Sequence, residues 1–172
     1  MTILLTGGSG CGKSVYAEKL VSAMSMENRA YIATMRVCDE ESMKRVARHR
    51  AQRAGRGFQT IECPKGLGDI DLADGSIVLL EDLPNLLANE LFDGGNVSRI
   101  IPDLTRLAAR CRHLVIVTND VFRDGAAYTG TMELYLREMA KINAHAVSMA
   151  DYAAEIVYSI PVPLKGVEAC AF

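Results

Sequence analysis

The chain has 172 residues, of which 49% are hydrophobic and 23% charged, so it can bury one substantial core but is short for two domains. Its net charge of −2 gives no general attraction for nucleic acid, and its apolar runs fall well short of the roughly 20 residues of a membrane helix. The five scattered cysteines, without a C-x-x-C pair, exclude a disulfide framework or zinc knuckle and indicate a reducing cytoplasm. We therefore expect one cytoplasmic domain over residues 1–172, with no nucleic-acid partner and no membrane insertion.

The first half of the chain predicts strands alternating with helices. Residues 2–6 form a short apolar run that ends in glycines, and apolar side chains at helical spacing follow over residues 13–24. A second strand is expected at 30–34, followed by a helix that begins with acidic residues near 39 and runs to about 53.

The second half continues the same pattern. Strands are expected at 58–62, 76–81, 113–118 and 155–160, and helices at about 84–92, 102–112 and 131–150. The runs at 76–81 and 113–118 are almost continuously apolar, which is typical of strands buried on both faces of a parallel sheet. The alternation predicts a three-layer α/β fold with a mainly parallel sheet flanked by helices.

The segment between the first strand and the first helix matches the phosphate-binding pattern G-x-x-x-x-G-K-[ST]. It consists of Gly7, Gly8, Ser9, Gly10, Cys11, Gly12, Lys13 and Ser14. Glycines let successive backbone N–H groups point at phosphate oxygens, and the helix N-terminus adds its positive end. We expect Lys13 to reach the β- and γ-phosphates of a nucleotide and the Ser14 hydroxyl to bind Mg²⁺. The alternative is a glycine turn that only connects strand to helix.

A carboxylate for the magnesium ion is expected at the end of the strand at 76–81. Glu81 is favoured over its neighbour Asp82, because adjacent strand residues point to opposite faces and only one can face the phosphates. The alternative is a solvated carboxylate at a strand end.

The helix that precedes residue 54 carries the local basic patch of this acidic protein. Arg45, His49 and Arg53 have the spacing i, i+4 and i+8, so they share one helix face, with the imidazole between two guanidinium groups. Such a row can hold a polyphosphate, although a solvated basic helix has the same pattern. His113 and His145 have no ligand-spaced companions and are interpreted as structural.

Several segments together resemble the bifunctional adenosylcobinamide kinase / adenosylcobinamide-phosphate guanylyltransferase family over nearly the whole chain. They are Ile3 to Ser14, Tyr31-Ile32-Ala33-Thr34, Arg45 to Arg50 with Arg53, Val78 to Glu81 with Asn89, Val117 to Val121, Arg137-Glu138, Asn143, Asp151, Ile160-Pro161 and Leu164-Lys165. The phosphate loop alone is shared by many families. The Tyr-Ile-Ala-Thr strand followed by an Arg-x-x-x-His helix is far more specific.

The resemblance implies a P-loop NTPase fold of the RecA-like type and a two-step reaction on a corrinoid. A nucleoside triphosphate, ATP or GTP, phosphorylates adenosylcobinamide, and GTP then donates GMP to give adenosylcobinamide-GDP. By motif position, His49 is the residue that carries GMP, and Arg45 and Arg53 are candidates for binding the triphosphate. The resemblance also implies a homo-oligomer, a trimer.

Three loops depart from the family pattern. Phe122-Arg123-Asp124-Gly125 replaces a Gly- and Pro-containing loop, Asp82-Leu83-Pro84-Asn85 replaces a Thr-rich turn, and Ser159 stands where a Gly is expected. These loops lie at the carboxyl ends of strands, where open α/β sheets bind ligands. Two alternatives therefore remain open, namely a kinase-only homologue and a non-catalytic GTP-binding regulator.

Overall fold

The computed structural model describes residues 1–24, 28–36, 40, 43–44, 46–47, 51, 55–122 and 125–166. Arg45, His49 and Arg53 lie outside the described residues, as does most of the helix expected to carry them. The described positions between residues 40 and 51 are helical, in agreement with that expectation.

Besides the helical positions between residues 40 and 51, the described residues form seven strands and four α-helices in the predicted order. The strands are β1 (Thr2–Thr6), β2 (Arg29–Ala33), β3 (Phe58–Glu62), β4 (Ile77–Glu81), β5 (His113–Val117), β6 (Tyr152–Val157) and β7 (Ile160–Lys165). The helices are α1 (Lys13–Met24), α2 (Leu83–Phe92), α3 (Ile100–Arg110) and α4 (Thr131–Met149), with short 3-10 turns at Leu67–Asp69 and Val97–Arg99.

The strands form one sheet in the order β3-β2-β4-β5-β1-β6-β7. All neighbouring pairs are parallel except β6 and β7, which are antiparallel. The carboxyl ends of β1, β2, β4, β5 and β6 therefore meet at one edge of the sheet. β5 lies between β1 and β4, so the segments that follow β1 and β4 are one strand apart. The space between these two segments, beyond the carboxyl end of β5, can admit a ligand.

Helices cover the sheet on both faces and bury two apolar cores. On one face, α1 packs against every second residue of the central strands. The buried residues of this core include Ala17, Val21, Ile3, Leu5, Leu79, Val115 and Ile156. On the other face, α2, α3 and α4 pack over Leu4, Ile32, Leu80, Ile116 and Ala153. Period-2 alternation assigns successive strand residues to opposite cores, which fixes the register of the sheet relative to its helices.

The expected three-layer P-loop fold with a mainly parallel sheet is confirmed. The expected last strand at 155–160 is wrong: β6 ends at Val157, and Tyr158 and Ser159 form a two-residue turn into the antiparallel β7. Both turn residues have positive φ, 49° and 67°. Type I′ hairpin turns need this geometry, but they normally use Asn or Gly, so the sequence carried no turn signal here. Among the described helices, none is both long and apolar enough to span a membrane.

Candidate active site

The glycine loop, residues 7–14, connects β1 to α1 and follows a path that requires glycine at two positions. Gly7 has φ +144°, and a Cβ atom there would lie 2.6 Å from the carbonyl oxygen of Ile156. Gly12 has φ +95°, and a Cβ atom there would overlap the Ser159 side chain. The Ser159 N–H donates to the Cys11 carbonyl at 2.8 Å. The turn after β6 therefore contacts the glycine loop and supports it from one side.

Lys13 lies at the start of α1, where the loop closes. Its side chain is buried, and its Nζ atom donates to the Gly8 carbonyl at 2.8 Å and to Oδ1 of Asn119 at 2.7 Å. Asn119 follows β5, and the next residue, Asp120, donates its N–H to the Gly7 carbonyl. The segment after β5 thus holds the lysine from the other side of the loop. Sequence reasoning missed Asn119 as a site residue, although the resemblance included the segment that contains it.

Glu81 meets the P-loop at the end of β4. One carboxylate oxygen accepts a hydrogen bond from the Ser14 hydroxyl, and the other accepts from the Tyr31 hydroxyl at 2.9 Å. Tyr31 is buried in β2, and its ring packs edge-to-face with Phe58 at 6.3 Å. The strand order brings together Ser14 and Glu81, which are 67 positions apart in sequence. Tyr31 orients the carboxylate, a role that its place in a strand motif did not predict.

Asp82 follows β4 and makes different contacts from Glu81, although both residues line the same cleft. Its carboxylate caps α2 by accepting the N–H of Asn85 at 2.8 Å. Burial raises the pKa of Asp82 to about 6, and the nearby charge of Glu81 acts in the same direction. The Thr34 hydroxyl exchanges hydrogen bonds with the backbone N–H and C=O of Asp82 at 2.7 and 2.8 Å.

Asn89 of α2 connects two of the segments at this edge of the sheet. Its side-chain amide donates to the carbonyls of Thr34 and Pro64 at 2.8 and 3.0 Å. The segments that follow β2 and β3 are thereby fastened to α2. Rigid placement of this kind is what a site needs if its carboxylate is to be preorganised.

A cleft of about 460 Å³ opens between the two groups of residues. Its walls comprise Ser9 to Val15, Met35, Glu81, Asp82, Pro84, Asn85, Val117 and Asn119. The volume falls in the range of small-molecule sites. Backbone amides, one ammonium group and two carboxylates converge on it, which is the chemistry for binding a triphosphate with a divalent cation.

The donors at this cleft fit magnesium better than a transition metal. The Ser14 hydroxyl and the Glu81 carboxylate offer oxygen ligands side by side, and Mg²⁺ is usually held by one or two protein oxygens together with phosphates and water. Within the described ranges no group of three or more His, Cys, Asp or Glu side chains could hold a metal.

One described residue of the helix expected to carry His49 lies next to this cleft. Val46, three positions before His49, lines a small hollow together with Tyr31, Glu81 and Asp82. His145, by contrast, lies on α4 with its ring 2.9 Å from the Thr105 hydroxyl. His113 begins β5, at the opposite edge of the sheet from the cleft.

The three cysteines within the described part of the chain, Cys11, Cys63 and Cys111, are free thiols.

Comparisons with known proteins identify relatives over almost the whole chain. Residues 3–164 match the family described as cobinamide kinase / cobinamide phosphate guanyltransferase. The bifunctional adenosylcobalamin biosynthesis protein CobU of Salmonella typhimurium is 30% identical over 96% of this chain and its own full length. CobU of Escherichia coli K12 is 29% identical with the same coverage. CobP of Pseudomonas aeruginosa, also described as bifunctional, is 26% identical over 96% of this chain and 98% of its own length.

Proposed function

Because the chain belongs to the cobinamide kinase / cobinamide phosphate guanyltransferase family, we propose that its P-loop cleft is where both reactions of that family take place. The chain is a transferase that phosphorylates adenosylcobinamide and transfers GMP from GTP to adenosylcobinamide phosphate. The observation that carries the assignment to the cleft is the convergence of Lys13, Ser14 and Glu81 at the end of β1 and β4.

In the kinase step, the hydroxyl of the corrinoid side chain attacks the γ-phosphorus of a nucleoside triphosphate and releases its proton to solvent. The bond from that phosphorus to the β,γ-bridging oxygen breaks, and the nucleoside diphosphate leaves. Lys13 and the loop amides stabilise the charge that develops on the phosphate oxygens. Lys13 reaches its phosphates by leaving the Gly8 carbonyl while Asn119 continues to orient it.

In the second step, a nitrogen of His49 attacks the α-phosphorus of GTP, and the bond to pyrophosphate breaks. The phosphate oxygen of adenosylcobinamide phosphate then attacks the same phosphorus, which releases the imidazole and forms adenosylcobinamide-GDP. Two displacements through a histidine replace one difficult transfer. The place of Val46 beside Glu81 and Asp82 supports this role, because His49 follows Val46 by three positions in the sequence, and the predicted helix would carry it about one turn further along. Arg45 and Arg53 would bind the triphosphate on the same helix face.

The residues present fit a magnesium ion as the metal of both steps. Ser14 and Glu81 would hold it, and when bound it neutralises charge on the triphosphate. Tyr31 keeps the Glu81 carboxylate in the orientation that this binding needs.

Three further parts of the proposal rest on the sequence. Residues 1–172 act as one domain, the protein works in the cytoplasm, and it assembles as a homo-oligomer, a trimer by resemblance. ATP and GTP are both candidate phosphate donors for the kinase step. Sedimentation measurements would test the assembly directly.

The decisive experiment follows the α-phosphate of GTP. The protein is incubated with Mg²⁺ and GTP labelled at the α-phosphorus, denatured and separated by electrophoresis. Acid-labile label is expected on the wild type and on a His145→Ala control, whose histidine lies on α4 away from the cleft. Label is expected to be absent from His49→Ala. If the wild type binds GTP but never becomes labelled, the covalent step is refuted and a kinase-only enzyme remains.

A further inference from the structure

A buried polar cluster lies beneath α1, at the amino end of β2. Glu18 of α1 is fully buried, and Arg29, the first residue of β2, is 3% exposed. Both side chains bind Arg56, which lies two positions before β3. Glu18 accepts a hydrogen bond from the Arg56 guanidinium at 3.2 Å, and the Arg29 guanidinium donates to the Arg56 carbonyl at 2.7 Å. Arg56 is therefore held both by its side chain and by its backbone.

Stability alone accounts poorly for charges buried in this way. Removing a carboxylate and a guanidinium from water costs about as much as their attraction returns, so such a pair adds little to the free energy of unfolding when compared with apolar side chains. The pair does fix the position of the residues that it joins, because moving one partner away leaves the other as an uncompensated buried charge. Arg29 extends the attachment to α1, because it also donates to the Ser22 carbonyl.

The residue held by this cluster ends the segment that contains His49. Arg56 follows His49 by seven positions. The strand that comes next, β3, is the edge strand of the sheet, pairs with β2 alone and exposes three of its five side chains. A strand with so few buried contacts holds the preceding chain weakly. The contacts of Arg56 with α1 and β2 therefore supply the firmer attachment.

The beginning of the same segment is placed by the cleft. Val46 lines the hollow beside Tyr31 and Glu81. Arg29 and Tyr31 are two residues apart in β2, so both project from the face that α1 covers. Val46 and Arg56 are therefore fixed over the same strand, one before and one after His49 in the sequence.

We propose that Glu18 and Arg29 are positioning residues for guanylyl transfer. Through Arg56 they fix the end of the segment that presents His49 to the α-phosphorus of GTP. The inference rests on the proposed function, in which His49 carries GMP, and it adds the residues that hold this nucleophile in place. A misplacement of about 1 Å can slow an attack about 100-fold. The kinase step uses Lys13 and the glycine loop but not His49, so loss of the attachment should slow transfer to the histidine and spare phosphorylation.

The test compares the two reactions in the full-length protein. One assay measures the single-turnover rate constant for acid-labile labelling of the protein by GTP labelled at the α-phosphorus, at saturating GTP and Mg²⁺. The other measures phosphorylation of adenosylcobinamide with the triphosphate that supports it in the wild type. Glu18→Gln and Arg56→Met should each slow labelling about 10- to 100-fold and leave the phosphorylation rate within about threefold of the wild type.

Three further variants separate positioning from a general loss of stability. The double variant Glu18→Gln/Arg56→Met should label no more than about threefold slower than the slower single variant, because both substitutions remove the same contact. Arg56→Lys, which keeps a cation, should label at least about threefold faster than Arg56→Met. The matched control is Asp103→Asn on α3, because this carboxylate is 2% exposed, pairs with Arg106 and accepts the Gly68 N–H at 3.0 Å. It should lower Tm and leave both rates within about threefold of the wild type.

Two results would overturn the inference. One is a folded Glu18→Gln or Arg56→Met that becomes labelled within threefold of the wild-type rate. The other is an equal fall of labelling and phosphorylation, which would give the cluster a general structural role. Because the Arg56 side chain is 34% exposed, its variant provides the answer even if Glu18→Gln fails to fold. A wild type that phosphorylates the corrinoid but never becomes labelled would instead refute the covalent step of the proposed function, and this inference with it.

Discussion

Replacing Tyr31 with Phe isolates the contact that orients the Glu81 carboxylate. The ring is 4% exposed and packs on Phe58, so the variant keeps the apolar contacts and loses only the hydroxyl that donates to Glu81 at 2.9 Å. A hydrogen bond to a charged group contributes about 1.5–3 kcal/mol, and because the acceptor is only partly buried we use the lower figure. We expect a loss of about 1.5 kcal/mol, which is a fall in Tm of about 3–6 °C.

The same substitution should also raise the Mg²⁺ concentration that the kinase reaction needs. Residues that orient a metal ligand typically change metal affinity about 10- to 100-fold when replaced. We therefore expect the Mg²⁺ concentration for half-maximal kinase activity to rise about tenfold in Tyr31→Phe. Activity is measured over a Mg²⁺ titration at saturating triphosphate, with Tm recorded alongside.

A matched control is available in the same core layer. Tyr152→Phe removes a buried hydroxyl from β6, on a strand that does not border Glu81. Its magnesium requirement should equal that of the wild type. If folded Tyr31→Phe also keeps the wild-type requirement, Tyr31 does not organise the metal site, and Glu81 loses its main structural support as the metal ligand.

Three further outcomes are expected. Ser159→Gly should raise Tm by about 2–4 °C, because a non-glycine residue at φ 67° is strained by about 1 kcal/mol; a lower Tm in thermal unfolding would contradict this. Asn119→Ala should lower kinase turnover at least tenfold, with a smaller change in nucleotide Kd, because Lys13 loses the amide oxygen that orients it. An unchanged kcat would show that Lys13 does not need this hydrogen bond. Burial raises the pKa of Cys63 to about 11, so at pH 8 about a thousandth of it is thiolate. Peptide mapping after brief treatment with a thiol reagent should find Cys11 modified and Cys63 intact, and bound nucleotide should protect Cys11.

Much of the fold follows from local patterns in the sequence. The bounds of β1, α1 and β3 agree with the predicted ones, because each is a periodic run closed by glycine or polar residues. The last strand was predicted wrongly because its turn uses Tyr158 and Ser159, whose side chains do not favour positive φ. Tertiary contacts with the glycine loop, through Ser159 and Cys11, support a turn that local propensity does not.

The residues of the candidate site also differ in whether the sequence alone could predict them. The sequence by itself predicted the glycine loop, Lys13, Ser14 and Glu81 rather than Asp82 as site residues, because a motif of fixed spacing and the alternation of strand side chains are local properties. It also determined the family, through the order of many short segments. Only the tertiary structure decided that the Tyr31 hydroxyl bonds to Glu81 and that Lys13 bonds to the Asn119 side chain. Those contacts depend on which strands are neighbours, and strand order is set by the packing of the whole sheet rather than by any one segment.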